Sequence, residues 1–202
     1  MDIEARLHSQ KVYCCNDDQL AAKQMECLDV LYDFNHTRPT EMHRRQAILQ
    51  SLFAEMGENC YIEPPLQANW GIHTHLGKNV YANFNLTLVD DTHIYIGDYV
   101  MIGPNVTIAT AGHPIDPALR RRVAQFNIPV KIENNVWIGA NAVILPGITV
   151  GENSVIGAGS VVTKDIPPNV VAVGNPCRVL RDINEHDQTY YYQNRRLDET
   201  AL

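Results

Sequence analysis

The chain has 202 residues and a formal net charge of −7, with 45% hydrophobic and 19% charged residues. That length and charge fraction fit one main globular domain with a full core and exclude a disordered chain. The acidic balance argues against a nucleic-acid partner, which would want a basic face, and leaves room only for a local basic pocket that takes a phosphorylated small molecule. The first thirty residues hold no basic stretch followed by an apolar run. No segment approaches the ~18 consecutive apolar residues of a membrane span, so a soluble, cytoplasmic protein is expected. Cys14, Cys15, Cys27, Cys60 and Cys177 are odd in number and lack Cys-x-x-Cys spacing. Reduced thiols are expected rather than a disulfide framework or a zinc knuckle.

Residues 1–57 read as a helical cap, with no glycine before Gly57. A first helix is predicted from Asp17 to Phe34, with Leu20, Cys27, Leu28, Leu31 and Phe34 on one face and Asn16 or Asp17 as its cap. His36-Thr37-Arg38-Pro39 breaks it. A second helix is predicted from Thr40 to Met56, with Ile48, Leu49, Leu52, Phe53 and Met56 as its stripe and Gly57 just past its end. Two short amphipathic helices must pack on something, and here they would cover the exposed edge of the domain that follows.

That domain, residues 58–180, carries a six-residue beat: Ile132, Ile138, Ile144, Val150, Ile156 and Val162 share one phase, and Gly139, Gly151 and Gly157 each follow it. Such a period is the signature of a parallel β-helix, in which each six residues make a short strand and a corner. The inward aliphatics then stack at the ~4.8 Å spacing of paired strands, and glycine serves corners needing positive φ or close backbone approach. Ile96, Ile102 and Ile108 keep the same interval, while Cys60 to Val89 reads as a less regular early coil. Between the two blocks, residues 109–129 break the beat with His113-Pro114, Asp116-Pro117 and Arg120-Arg121-Arg122. A loop of that length without regular structure is expected to serve function. Val170 to Val173 reads as the last strand. The tail, residues 181–202, is polar and tyrosine-rich; Leu180, Ile183 and Tyr190 to Tyr192 can dock it as a helix or bind a neighbouring subunit, and docking on its own domain is the expectation.

Several blocks taken in order carry a resemblance. Tyr81-Ala82-Asn83-Phe84-Asn85-Leu86-Thr87, Val89-Asp90-Asp91, Gly112-His113-Pro114, Asn134-Asn135-Val136-Trp137-Ile138-Gly139, Val161-Val162-Thr163-Lys164-Asp165 and Gly174-Asn175-Pro176-Cys177-Arg178 resemble the galactoside and maltose O-acetyltransferases over nearly the whole chain. The resemblance implies a left-handed parallel β-helix, although left-handed crossovers oppose the usual rule. It also implies acetyl-coenzyme A as donor, a sugar hydroxyl as acceptor, and a homotrimer with sites between subunits.

A sugar hydroxyl is too weakly acidic to attack a thioester unaided, so the chemistry needs a base, and histidine titrates in the right range. His113 is the candidate, and the resemblance puts the family's catalytic histidine there. Direct transfer in a ternary complex needs neither a covalent acetyl-enzyme nor a metal; Cys14 and Cys15 are not required. By position, Asn69, Asn83 and Asp91 match acceptor contacts, although Asn83 also fits a coil asparagine satisfying backbone groups and Asp91 a turn residue. Strict register puts Cys15 where galactoside enzymes have an acidic residue, with Asp17 two positions on, which leaves the acceptor open. Thr163, Lys164, Arg178 and Arg181 are expected at the phosphates of the cofactor, and Trp137, Ala140 and Ala158 along its pantetheine arm. The other seven histidines lack the setting of His113, and His73, His75 and His93 read as surface or strand residues. A γ-carbonic-anhydrase-like protein would need zinc on His73, His75 and His93, whose spacing lacks that pattern. A non-catalytic scaffold gives no reason for a histidine-bearing loop. A non-sugar or antibiotic acceptor stays open.

Overall fold

A computed structural model describes residues 3–198 and 200 and is mainly β, built as a coil with three parallel sheets. Successive coils stack with inward aliphatics directly above one another. On one face Leu76 pairs with Ile96, Ile96 with Ile132 and Ile132 with Val150. A second face carries Ile62, Ala82, Ile102, Ile138, Ile156 and Ala172. The third carries Ala68, Leu88, Ile108, Ile144 and Val162. These columns form one buried core running the length of the coil. Burying each aliphatic contributes about 1.5–3 kcal/mol, which sets the stack as the main source of stability.

The spacing within the columns shows why the early coils looked irregular. Ile138 and Ile156 pair 18 positions apart, which is three sixes. Leu76 and Ile96, like Ala82 and Ile102, pair 20 apart. Both extra residues fall at one corner, because Leu88 and Ile96 are eight positions apart whereas Leu76, Ala82 and Leu88 keep the interval of six. From the same corner, one coil later, the chain runs out after Ala109 and returns at Val130.

The extruded segment is not an irregular loop, as expected from sequence, but a small sheet and a short helix. Ala111–Gly112 pairs antiparallel with Ala124–Asn127, which also pairs with Tyr13–Cys14. The intervening residues Pro117–Arg121 form a helix capped by the Asp116 side chain. The beat is lost because antiparallel strands have their own period of two.

At the amino end, helix α1 (Ile3–Leu7) precedes α2 (Asp18–Asn35) and α3 (Met42–Leu52). Asp17 caps α2 by accepting from the backbone N–H of Gln19 and Leu20. The buried face of α2, Leu20, Cys27, Leu31 and Phe34, matches the sequence stripe, and Leu28 is exposed instead. Asn35 donates to Leu66 O and accepts from Leu66 N, both at 2.8 Å, so its amide covers the open edge of the first strand on the third face. Helix α3 ends at Leu52, short of Met56, because Glu55–Met56 is already a strand paired with His75–Leu76. Gly57 therefore caps no helix; a Cβ there would lie 2.5 Å from Gly77 O in the next coil.

The same crowding explains the glycines after the beat. Gly139 has no positive φ, but a Cβ on it would meet Ala158 N at 2.6 Å. Left-handed corners fall to asparagine. Asn59, Asn79, Asn135, Asn153 and Asn169 have φ near +60° and bond through their amides, Asn135 to Asn153 at 2.9 Å and Asn153 to Asn169 at 2.8 Å. At the far end the tail adds a strand, Arg178–Asp182, antiparallel to Val170–Val173, and then a short helix, Glu185–Thr189, that buries no residue. Leu180, Tyr191 and Tyr192 stay exposed.

One residue breaks the asparagine column: Tyr99, at φ +59°, lies between Asn79 and Asn135. A bulky side chain in that region costs roughly 1–2 kcal/mol, and asparagine tolerates it. Tyr99→Asn is expected to raise stability by about 1 kcal/mol, read as a higher denaturant midpoint at unchanged slope.

Candidate active site

The corner with the extra residues gathers the polar side chains. His113 follows Ala111–Gly112 directly, and its Nδ1 lies 2.8 Å from Ala124 O on the returning strand. A carbonyl only accepts, so Nδ1 carries the hydrogen and Nε2 of the neutral ring holds a free lone pair. The ring is otherwise exposed in the single chain. Arg120 braces the turn after it by donating to Pro114 O and Ile115 O.

The next residue on the returning strand, Gln125, was not singled out in sequence. It is buried, and its Nε2 donates to Asp91 Oδ1 at 3.0 Å and lies 2.8 Å from Tyr13 Oη. Asp91 Oδ2 accepts from Asn69 Nδ2 at 2.8 Å. Asn69, Asp91 and Gln125 therefore line one cleft of about 290 Å³, closed on the other side by Tyr13, Cys15, Asp17 and Trp70 from the amino-terminal arm and first coil. Asp17 reaches the cleft while one of its oxygens caps α2, and Cys15 Sγ turns to Val123 O at 3.3 Å.

Asn83 lies elsewhere. It borders a mostly apolar groove of about 510 Å³ with Tyr81, Met101, Trp137, Ala140 and Ala158. Gly103, Gly139 and Gly157 leave its floor without side chains. Asn83 Oδ1 accepts from Phe84 N at 2.7 Å, and its Nδ2 has no hydrogen-bond partner among the described residues. Asn83 thus sits at a different corner from Asn69 and Asp91, and one chain does not bring the three together. Thr163 and Lys164 are exposed at the end of the third face. Arg178 Nη1 donates to Cys177 O at 2.6 Å. Arg181 departs from the expectation of a free cation. It makes a bidentate pair with Asp187, both bonds 2.7 Å, which together with the Asn184 backbone N–H holds the Asp187 carboxyl down at about 2.

Residues 129–164 match the family model for the bacterial transferase hexapeptide (six repeats), and residues 6–57 match the maltose acetyltransferase hexapeptide capping motif. A galactoside O-acetyltransferase of Lactococcus lactis is 53% identical over 96% of this chain and 94% of its own length. One from Escherichia coli is 46% identical over 100% of this chain and 99% of its own. Among solved structures, a galactoside acetyltransferase in complex with coenzyme A has a TM-score of 0.95 at 46% identity, covering 98% of this chain and all 100% of that one. The chain belongs to the galactoside and maltose O-acetyltransferases.

Next to the cleft, this acetyltransferase carries a histidine cluster that the sequence reading dispersed. His8 stacks on His93 with ring centroids 4.6 Å apart and meets His73 edge-on at 4.8 Å. His8 Nδ1 lies 2.8 Å from Thr92 Oγ1, and His75 Nε2 lies 3.0 Å from His93 Nδ1. His73 is buried rather than on the surface, and its Nδ1–H donates to Asp90 O at 2.8 Å. His75 Nδ1 is buried and lies 3.3 Å from Glu55 Oε2. Among the described residues no group of three or more His, Cys, Asp or Glu side chains is arranged to hold a metal ion.

Burial pushes His8 and His93 down and takes His73 to about 4, while burial pushes Asp90 up to about 7. The two effects oppose each other. His73 contributes stability above its ordinary value of 6.5 and loses it as pH falls through about 4; Asp90 contributes below its ordinary 3.8 and loses it as pH rises through about 7. The denaturant midpoint of His73→Asn is expected to fall less than that of the wild type between about pH 7 and about pH 4.5. Equal falls would assign the loss to other groups.

Proposed function

We propose that this acetyltransferase moves an acetyl group from acetyl-coenzyme A to a sugar hydroxyl, of galactoside, maltose or glucose type, with His113 as general base. The hydrogen bond from His113 Nδ1 to Ala124 O carries the reading, because it leaves Nε2 as the basic nitrogen and fixes the ring that holds it. In a ternary complex Nε2 takes the acceptor proton as the oxygen attacks the acetyl carbonyl. The tetrahedral intermediate then collapses, its C–S bond breaks, and the imidazolium returns the proton to the departing thiolate. A backbone N–H of the coil is the expected donor to the intermediate's oxygen.

Asn69, Asp91 and Gln125 supply acceptor hydrogen bonds in fixed directions, since each is held by another of the three. The groove of Trp137, Ala140 and Ala158 suits the pantetheine arm, being mostly apolar with a glycine floor. Two solved relatives support the donor: one is in complex with coenzyme A, and a hexapeptide-repeat acetyltransferase from Vibrio cholerae, 30% identical with a TM-score of 0.85 over 92% of this chain and 100% of that one, is complexed with acetyl-coenzyme A. Thr163, Lys164 and Arg178 face the phosphates; Arg181 joins them only by leaving Asp187. Cleft and groove lie at different corners of one coil, which favours a left-handed homotrimer whose cleft on one subunit meets the groove of the next. A cytoplasmic location suits an enzyme drawing on acetyl-coenzyme A, and no helix among the described residues is long and apolar enough to cross a membrane.

His113→Ala is expected to lower kcat by about 10²- to 10⁴-fold while calorimetric binding of coenzyme A is unchanged. Thiol release with methyl galactoside, methyl glucoside and maltose measures it, and full activity in the variant removes the proposed base. Lys164→Ala is expected to raise the Michaelis constant for acetyl-coenzyme A by about tenfold with kcat nearly unchanged.

A further inference from the structure

The two aspartates at the cleft corner differ in burial. Asp91 faces the cleft, whereas Asp90 is 0% exposed. Asp90 Oδ1 accepts from Asn69 N at 3.0 Å and from Trp70 N at 2.8 Å, and Oδ2 accepts from Thr74 Oγ1 at 3.1 Å. Its backbone oxygen accepts from His73 Nδ1–H. All four donors belong to the corner of the preceding coil, residues 69–74. That corner turns through Gly71 at φ +65° and has no ladder partner for Trp70 N other than this carboxylate.

We propose that Asp90 is a positioning residue for the acceptor: without touching substrate, it ties the 69–74 corner to its own coil so that Asn69 and Asp91 stand at a fixed separation. The proposal rests on reading the cleft as the acceptor site. Each side chain of that pair is held from two directions. Asn69 is set by its backbone N–H, shared between Asp90 Oδ1 and Leu88 O, and by its amide on Asp91; Asp91 is set by being the next residue and by Gln125. Losing the carboxylate leaves the Trp70 N–H without an acceptor in a buried place and takes the second acceptor from the Asn69 N–H, which keeps Leu88 O at 3.1 Å, so the corner must move at Trp70 to find another. Stability gives little reason for a carboxylate here. Burial opposes its ionisation in spite of three donors, and a well-packed apolar residue would avoid that cost.

The test is steady-state kinetics on the full chain with the best acceptor among methyl galactoside, methyl glucoside and maltose. Asp90→Ala is expected to raise the acceptor Michaelis constant by about tenfold, with kcat and the donor constant within about twofold. Asp90→Asn keeps an oxygen that can accept from both N–H groups, and is expected to return the acceptor constant to within about threefold of the wild type. An unchanged acceptor constant in Asp90→Ala, an equal rise in the donor constant, or no rescue by asparagine overturns the proposal. Should Asp90→Ala fail to fold, Thr74→Val removes one donor and keeps the carboxylate. A rise of about threefold in the acceptor constant alone is then expected, and no rise sinks the idea. Asp91→Asn tests the reading beneath it: if that variant leaves the acceptor constant unchanged, the cleft is not the acceptor site. If Asp91→Asn raises the constant and Asp90→Ala does not, only the positioning role falls.

Discussion

Each inward aliphatic of this protein must sit directly over the one in the coil below, at the distance that a parallel ladder allows. That constraint governs everything else. A coil may hold 18 residues or 20, but Ile96 must still land on Ile132 and Ile102 on Ile138, although 36 positions separate each pair. Surplus chain has no place in the stack and must leave at a corner. It leaves at the corner between the third face and the first, in coil after coil, and so polar residues that would disrupt a core collect along one edge. The cleft exists because the stack refuses those residues.

Three kinds of hydrogen bond then hold the edge in shape. The returning strand Ala124–Asn127 gives Ala124 O to His113 and Gln125 to Asp91. The amino-terminal arm pairs with that strand through Tyr13–Cys14, and Asn127 reaches back to Leu7 O at 3.1 Å. Asp90 ties the corner beneath. The helical cap is therefore more than a cover for an open edge, since its leading strand supports the segment that orients His113.

The coil was legible because its period is simple where it holds 18 residues, and the resemblance followed from blocks in the regular part and around His113. The 20-residue coils hid theirs, as Ala82 stands where an aliphatic was expected and two surplus residues shift the phase. A signal was nonetheless present: His73 and His93, like His75 and Tyr95, are 20 positions apart, the interval that superposes neighbours in those coils. His8 carried no such signal, because it arrives from the arm by tertiary packing alone. Gln125 was invisible for a related reason. A single amide in a broken stretch has no period, and only the antiparallel pairing reveals that it faces inward.

The arm that walls the cleft and the coil that floors the groove share few residues. Tyr13, Cys15 and Asp17 border only the cleft, and Trp137, Ala140 and Ala158 only the groove. Such a division lets one half diverge while the other is kept. On the proposed reading of cleft and groove, substitutions at Tyr13, Cys15 and Asp17 would retune which alcohol is admitted while leaving the thioester's seat untouched, so a lineage of these proteins could explore new acceptors without losing its activated acyl supply.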